Sequence, residues 1–193
     1  ALAEDGRARI SIDTMKPAVA AACLRAGASL VNDVTGLRDP RMAEVAAHHR
    51  AGIVIMHMRG TPATMRNLAQ YTDVVAEVIA ELAGRIRLAR EAGITEIFAD
   101  PGIGFAKTTA HNLTLTARLG ALVDLGFPVL YAASRKRLIQ GVDAAAIEAG
   151  DRLGGSLALA LEGGRRGARM VRVHDVRETV QALKLQAAVT AAG

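Results

Sequence analysis

The chain has 193 residues, of which 51% are hydrophobic and only 3% aromatic, and it carries a formal net charge of +5. Because Trp is absent and aromatics are few, Ala, Val, Leu and Ile must fill the interior. That favours helices packed on a buried sheet over an aromatic-rich all-β fold. The positive charge would suit an anionic ligand, but no basic stretch is interleaved with aromatics, so we expect no nucleic-acid partner.

Cysteine content and hydropathy indicate the cellular setting. Cys23 is the only cysteine, which excludes an intrachain disulfide and argues against a cysteine-based metal site. No run approaches the roughly 18 apolar residues of a membrane span, and no signal peptide opens the chain. We therefore expect a cytoplasmic protein with no membrane partner.

Short apolar segments alternate with longer segments of helical period along the whole chain. The predicted strands are, in chain order, Ala8–Ile12, Ser29–Asn32, Gly52–Met56, Glu96–Ala99, Pro128–Tyr131 and Arg169–Val173. The predicted helices are Pro17–Ala26, Arg41–His49, Tyr71–Ala92, His111–Leu125, Asp151–Arg166 and Val176–Ala188. Most of the strand segments are apolar without alternation, as expected of parallel strands that are buried on both faces.

Six consecutive βα units predict an α/β fold, either a doubly wound sheet or a (β/α)8 TIM barrel. A barrel needs eight units and typically about 250 residues. We favour the barrel, with this chain supplying about its last six βα units as a single domain over residues 1–193.

Polar or ionisable groups follow the strands, at the end where α/β barrels assemble their active sites. They are Asp13, Asn32, Asp33, His57, Asp100, Ser134, Arg135, Lys136, Arg172, His174 and Asp175. Taken singly, an Asp or Asn in such a place is often only a helix cap. Six strand ends converging on one barrel mouth indicate a binding site.

Two kinds of chemistry meet at this predicted rim. Asp13, Asn32 and Asp100 offer acceptors and an amide, which suit a flat heterocycle with several N–H donors. Four cations lie near the last two strands, where barrels often bind phosphate: Arg135, Lys136, Arg172 and His174. The residues therefore predict a ring with a phosphorylated arm as the ligand, and no histidine spacing or acidic cluster supports a transition-metal site.

Six motifs together resemble those of dihydropteroate synthases in order and spacing. They are Ser11-Ile-Asp-Thr14, Val31-Asn-Asp33, Met56-His-Met58 with Gly60-Thr-Pro62, Asp100-Pro-Gly-Ile-Gly-Phe105, Ser134-Arg-Lys136 and Arg172-Val-His-Asp175. The resemblance implies a TIM-barrel transferase of folate biosynthesis, commonly a homodimer and the target of sulfonamides. Such an enzyme condenses 6-hydroxymethyl-7,8-dihydropterin pyrophosphate with p-aminobenzoate, uses Mg²⁺, and yields 7,8-dihydropteroate and pyrophosphate.

The resemblance also implies roles for individual residues. The implied catalytic residues are Asp100, Lys136, Arg172 and His174. The implied substrate-binding residues are Asp13, Asn32, Val34, Met56, Asp100, Phe105, Ser134, Arg135, Lys136, Arg172 and His174. Among them, Asp13, Asn32 and Asp100 would bond the pterin edge, with Lys136 near its carbonyl. The pocket walls would be three apolar side chains: Val34, Met56 and Phe105.

The remaining implied roles concern the two other reacting groups. Arg172 and His174 would hold the pyrophosphate, while Ser134 and the stem of Arg135 would lie near p-aminobenzoate. The implied mechanism is dissociative: pyrophosphate departs first, and the aryl amine captures a pterin methylene cation that Asp100 stabilises.

The chain departs from the resemblance in several places. The first two βα units are not in it, including an Asn that binds Mg²⁺, so we expect no metal ligand here and no activity from this stretch alone. Ala132 stands where Gly is usual, Tyr131 is an unusual neighbour for it, and Gly163 and Gly164 should interrupt a helix. Two alternatives stay open: a pterin-binding paralogue without turnover, and a methyltetrahydrofolate:corrinoid methyltransferase domain.

Overall fold

The computed structural model describes residue 6 and residues 8–193. Residues 1–5 and 7, which the predicted domain includes, lie outside the described residues. The strands are β1 (Ser11–Asp13), β2 (Leu30–Asp33), β3 (Gly52–Met56), β4 (Ile97–Asp100), β5 (Leu130–Tyr131) and β6 (Met170–Val171). The helices are α1 (Pro17–Arg25), α2 (Pro40–His48), α3 (Val74–Glu91), α4 (Thr109–Ala117), α5 (Gly120–Val123), α6 (Arg137–Gln140), α7 (Leu153–Arg165) and α8 (Val176–Ala191). Short 3₁₀ turns span Met65–Leu68 and Ala149–Arg152.

The long helices begin where local signals predict. Pro17 opens α1, and Gly27 follows it with a φ of 101° that a residue with a side chain rarely adopts. Asp73 precedes α3 and accepts hydrogen bonds from the backbone N–H groups of Val75 and Ala76, which satisfies donors that the helix itself leaves unpaired.

One predicted helix, His111–Leu125, is wrong as a single element. The chain leaves α4 at Arg118, and hydrogen bonds between residues three apart then tighten the turn into α5, from Leu119 to Thr116 and from Leu122 to Leu119. Leu119 and Leu122 are both buried after this turn. Burial of both leucines accounts for the break, which periodicity does not predict.

The strands are parallel, and each is a neighbour of the next one along the chain. Backbone pairing joins β1 through β4 in sequence order and pairs β5 with β6. An isolated bridge from Ala99 to Val129 connects β4 to β5. A doubly wound sheet reverses its strand order at a switch point, and this order does not reverse. The sheet is therefore an arc of a barrel wall, and the doubly wound alternative is wrong.

Alternate residues of the strands face opposite sides of this wall. The larger core cluster lies between the wall and the helices, and a smaller cluster lies on the inner side: Leu30, Val54, Phe98, Leu130 and Ala132, with Met170 packed against them. Because strand side chains repeat every two residues, residues two positions after these inner positions face the same side. Those positions include Asn32, Met56, Asp100, Ala132 and Arg172, which lie at the carboxyl ends of the strands.

The gap between β1 and β6 holds a cavity of about 430 Å³. Leu30 and Met170 line it from the sheet, and Val176, Val180 and Leu183 line it from α8. Among the described residues, no helix is both long enough and apolar enough to cross a bilayer.

Candidate functional site

A cavity of about 210 Å³ opens at the carboxyl ends of the strands. It is lined by Asp13, Asn32, Val34, Met56, Asp100, Phe105, Ala132, Lys136 and Arg172. All of these except Ala132 are substrate-binding residues that the sequence predicted. The fold brings them together from strand ends around the barrel wall, and their role in binding stays a prediction.

Asp13, Asn32 and Arg172 form one polar corner of the cavity. The Asn32 amide donates to Asp13 Oδ2 over 3.0 Å, and Arg172 Nη2 lies 3.4 Å from the same oxygen. Asn32 is buried, and its Oδ1 accepts no hydrogen bond from the described residues. A buried acceptor without a partner is unusual in a folded protein, so Asn32 Oδ1 is a candidate contact for a ligand N–H.

Asp100 is the second carboxylate of the cavity, and it is 3% exposed. Its Oδ1 accepts from the Gly102 N–H over 2.7 Å. Burial raises the pKa of the Asp100 carboxyl, against the opposing influence of Lys136 and of that N–H. Gly102 is required here: its φ is 68°, and a Cβ would lie 1.9 Å from the backbone oxygen of His57.

Lys136 lines the same cavity as Asp100. Its Nζ lies 4.7 Å from the centre of the Phe105 ring and donates to the backbone oxygen of Ile103. Burial lowers the pKa of Lys136 to about 8, although Asp100 acts to raise it. The cavity therefore combines acceptors for ring N–H groups with two cations, Lys136 and Arg172, that could face an anionic arm.

Three further predicted residues lie at the same rim but do not line this cavity. Ser134 Oγ lies 3.0 Å from His174 Nδ1 and accepts from the His174 backbone N–H over 3.2 Å. Arg135 has a φ of 58° and pairs with Asp175, with Nε 3.1 Å from Oδ2. This pairing lowers the pKa of the Asp175 carboxyl. The cation of Arg135 thus already has a carboxylate partner.

The sequence-based prediction missed Lys107, which lies under the loop that carries Phe105. Its Nζ lies 2.9 Å from His57 Nδ1 and donates to the backbone oxygens of Gly102 and Phe105 over 3.2 and 3.0 Å. Burial lowers the pKa of Lys107 to about 7. The sequence signal that could have identified Lys107 is its position two residues after Phe105, as the next ionisable group along the chain.

His57 is buried beside Lys107 and is held neutral. Burial, followed by the positive charges of Lys107 and Arg59, lowers the pKa of His57 to about 3. While Lys107 is protonated its ammonium can only donate, so His57 Nδ1 then accepts and the ring proton is on Nε2. Nε2 lies 3.1 Å from Glu81 Oε2 but makes no hydrogen bond with the described residues. Among the described residues, no group of three or more His, Cys, Asp or Glu side chains could hold a metal ion.

Comparisons with known proteins agree with this geometry. Residues 1–174 match the family described as "Pterin binding enzyme". The chain is 42% identical over 179 residues to the dihydropteroate synthase of Synechocystis sp., a match that covers 91% of this chain and 62% of that protein. It is 38% identical to the Escherichia coli K12 dihydropteroate synthase, over 100% of this chain and 68% of that protein.

Solved structures of the dihydropteroate synthase from Thermus thermophilus have the same fold. One, in complex with 6HMPPP, is 45% identical with a TM-score of 0.93, and the match covers 97% of this chain and 74% of that chain. Another, in complex with 4-aminobenzoate, is 46% identical with a TM-score of 0.92, and the match covers 96% and 72%.

These likenesses run along nearly the whole of this chain but along only part of its relatives. The chain spans 62% of the length of the Synechocystis protein and 68% of the E. coli protein. The barrel fold predicted from six βα units is confirmed. On the family match and on these identities, the chain belongs to the pterin-binding enzyme family, and within it to the dihydropteroate synthases.

Proposed function

We propose that the protein containing this chain condenses 6-hydroxymethyl-7,8-dihydropterin pyrophosphate with p-aminobenzoate, giving 7,8-dihydropteroate and pyrophosphate. The observation that carries the proposal is the convergence of two carboxylates and two cations, Asp13, Asp100, Lys136 and Arg172, on one cavity with Asn32. The Thermus thermophilus enzyme, solved with 6HMPPP and with 4-aminobenzoate, supports the assignment of substrates.

The pterin ring is held by its edge. Asn32 Oδ1, buried and without a partner among the described residues, accepts one ring N–H, and Asp13 and Asp100 accept others. A ring analogue without these donors would leave the buried acceptors of Asn32 and Asp100 unpaired, which costs about 1–3 kcal/mol for each group. Recognition of the ring by this corner therefore provides selectivity as well as affinity.

Bond breaking separates charge, and the cavity places groups of both signs beside it. The C–O bond between the pterin methylene and pyrophosphate breaks, and its electron pair leaves with the pyrophosphate oxygen. Arg172 and His174 stabilise the negative charge that develops there, and Asp100 stabilises the positive charge on the pterin. Because Asp100 is buried, its attraction to that cation is screened less than it would be in water.

Bond formation then consumes the cation. The aryl amine of p-aminobenzoate donates its lone pair to the methylene carbon, forms the C–N bond and loses a proton. We assign p-aminobenzoate to the rim formed by Ser134 and the stem of Arg135, beside the pterin cavity. Holding the amine in line with the methylene carbon reduces the entropic part of the barrier. Sulfonamides, as analogues of p-aminobenzoate, would compete for this rim.

We also propose that the reaction uses Mg²⁺. Among the described residues, no group of three or more acidic, histidine or cysteine side chains could hold the ion by itself, and Asp13 is engaged by Asn32 and Arg172. Mg²⁺ commonly binds substrate phosphates with only one or two protein carboxylates. We therefore assign the ion to the pyrophosphate, with no ligand from this part of the chain.

The proposed assembly is a homodimer in the cytoplasm. Val142, Ile147 and Leu153, between α6 and the start of α7, are exposed apolar side chains, and Val142 lines a cavity of about 340 Å³ between α4, α6 and α7. A second copy of the chain that packs on this face would bury them.

Product analysis of the full gene product that contains this sequence tests the proposal. With pterin pyrophosphate, p-aminobenzoate and Mg²⁺, we expect dihydropteroate to form, and to be lost in Asp100→Ala and in Lys136→Ala. A protein that binds the pterin but forms no dihydropteroate would instead be a binding paralogue. Ala132 lines the cavity where Gly is usual, and this difference is the reason to consider a binding paralogue.

A further inference from the structure

The ammonium of Lys107 lies under the loop formed by residues 101–106, against its backbone. An ammonium has three hydrogens to donate, and here it has three acceptors: Gly102 O at 3.2 Å, Phe105 O at 3.0 Å and His57 Nδ1 at 2.9 Å. Lys107 does not line the cavity. All of its donors are directed to the protein.

The loop has a conformation that needs such support. Gly102 and Gly104 have φ values of 68° and 82°, and Ala106 has a φ of 49°. A non-glycine residue in this region is strained unless its surroundings hold it there. Tyr71 donates from its hydroxyl to Ala106 O over 3.0 Å. Lys107 and Tyr71 together therefore bond the carbonyl groups along the underside of the loop.

One residue that we assign to the pterin precedes this loop, and another lies within it. Asp100, directly before the loop, is fixed by the Gly102 N–H, and Phe105 near its end lies against Lys136. A displacement of Gly102 and Phe105 would move both the carboxylate and the ring. Lys107 donates hydrogen bonds to the backbone oxygens of Gly102 and Phe105.

The charged surroundings of Lys107 come from several elements. Asp100 on β4 and Glu81 on α3 attract its charge, while Lys136 and Arg59 repel it. His57, which follows β3, is neutral, and its Nε2 lies 3.1 Å from Glu81 Oε2 without a hydrogen bond to it. A partly buried ammonium that is both attracted and repelled by neighbouring charges is an arrangement that an apolar residue would not reproduce.

We propose that Lys107 is a positioning residue for the pterin site, which fixes Asp100 and Phe105 by holding the loop between them from below through Gly102, Phe105 and His57. The proposal deepens the proposed function and rests on its assignment of a pterin ring to this cavity. Lys107 touches no reacting atom and acts through the loop. Its loss weakens pterin binding and leaves the p-aminobenzoate rim unchanged.

Calorimetric titration of the full gene product with 6-hydroxymethylpterin tests this directly, because it needs no turnover. We expect Lys107→Met to bind the pterin at least about 10-fold more weakly, the loss typical of a hydrogen-bonding network with a charged member. Lys184→Met, at an exposed position on α8, is the matched control and should bind as the wild type does. At saturating pterin pyrophosphate, the KM for p-aminobenzoate should not change in either variant. Pterin affinity of Lys107→Met within about 2-fold of wild type would overturn the proposal.

A double-mutant cycle with His57→Leu measures the coupling between Lys107 and His57 in pterin binding. If Lys107 and His57 act as one unit, the double variant should bind pterin no more weakly than Lys107→Met alone. Additive losses of pterin affinity would contradict a joint role of Lys107 and His57. If Lys107→Met does not fold, Lys107→Gln replaces it, with the same two outcomes for pterin affinity.

Nuclear magnetic resonance of the wild-type His57 ring tests the contact without any variant. We expect a neutral ring from about pH 5 to 8, with its proton on Nε2 while Lys107 is protonated, below the Lys107 pKa of about 7. A ring that titrates near the ordinary histidine value would overturn the contact with Lys107, and with it the proposal. A protein that binds pterin but forms no dihydropteroate would refute the proposed synthase activity and leave the Lys107 test intact.

Discussion

The ring of Tyr131 packs directly on the backbone of Gly163. A Cβ at Gly163 would lie 2.7 Å from Tyr131 Cδ1, closer than real side chains approach. The Tyr131 hydroxyl lies 2.7 Å from Thr116 Oγ1 on α4, and the tyrosine is 1% exposed. The tyrosine therefore occupies the space that the glycine leaves, and α7 runs through Gly163 and Gly164 without a break. The expectation that these glycines interrupt the helix was wrong.

Gly163→Ala should lower the free energy of unfolding by about 1–3 kcal/mol, because the added methyl overpacks the Tyr131 ring. Gly164→Ala is the matched control one residue away, where a Cβ would make an ordinary contact at 3.5 Å from Leu183. It should raise stability by about 0.5–1 kcal/mol through helix propensity. Urea unfolding of both variants measures the difference, and equal effects would contradict the packing explanation.

Asp100→Asn should separate stability from activity. Burial raises the pKa of the Asp100 carboxyl in the folded protein, so its ionised form opposes folding at neutral pH, and this opposition fades as pH falls through the folded-state pKa. The variant should therefore be at least as stable as wild type at neutral pH, with the difference shrinking on acidification. Condensation should fall about 100-fold, because the stabilising charge is lost. A variant that is both destabilised and active would contradict the assigned role.

Arg172→Met tests whether Arg172 contacts the pyrophosphate arm of the substrate or its pterin ring. We expect affinity for the pterin pyrophosphate to fall about 10- to 100-fold, because a charge-assisted contact to phosphate is removed. Affinity for 6-hydroxymethylpterin should stay within about 2-fold. Calorimetry with both ligands measures the two effects. Equal losses for both would place Arg172 against the ring.

Ala132→Gly tests whether the cavity methyl matters. Ala132 is 5% exposed and packs with Leu130 in the inner cluster, so we expect the pterin affinity to change by less than about 3-fold. Stability should fall by about 0.5–1 kcal/mol, because glycine loses more conformational freedom on folding than alanine does. A large gain in turnover on this change would show that the alanine blocks the reaction.

Val142→Glu tests the proposed dimer. Val142 is 67% exposed, and a charge at this position should convert a dimer to monomers, because burying an unpaired charge at an interface is unfavourable. Leu88→Glu, at an exposed position on α3, is the control. Sedimentation velocity of both measures the assembly. A wild-type monomer would refute the proposed dimer.

Much of the site could be predicted, because the strand ends and the order of the motifs can be recognised in short stretches of the sequence. Asp13, Asn32, Asp100 and Arg172 end or follow apolar strands, and the fold brings them into one cavity with Lys136. The pairing of Arg135 with Asp175 could not be predicted, since it depends on how two loops face each other.

Other features depend on tertiary contacts that no short segment encodes. Lys107 acquires its partners only when β3 and the loop after β4 are adjacent. The break at Arg118 follows from the burial of Leu119, and α6 is too short for its period to be recognised. Tyr131 and Gly163 lie far apart in the chain, with α6 between them, so neither one alone predicts the other.

The proposed condensation is tested most directly by simultaneous measurement of dihydropteroate and pyrophosphate formed by the full gene product from pterin pyrophosphate, p-aminobenzoate and Mg²⁺. We expect the two products to form in equal amounts, and we expect Asp100→Asn, although folded, to make little of either. Pyrophosphate without dihydropteroate, or neither product from a protein that binds the pterin, would contradict the proposed reaction.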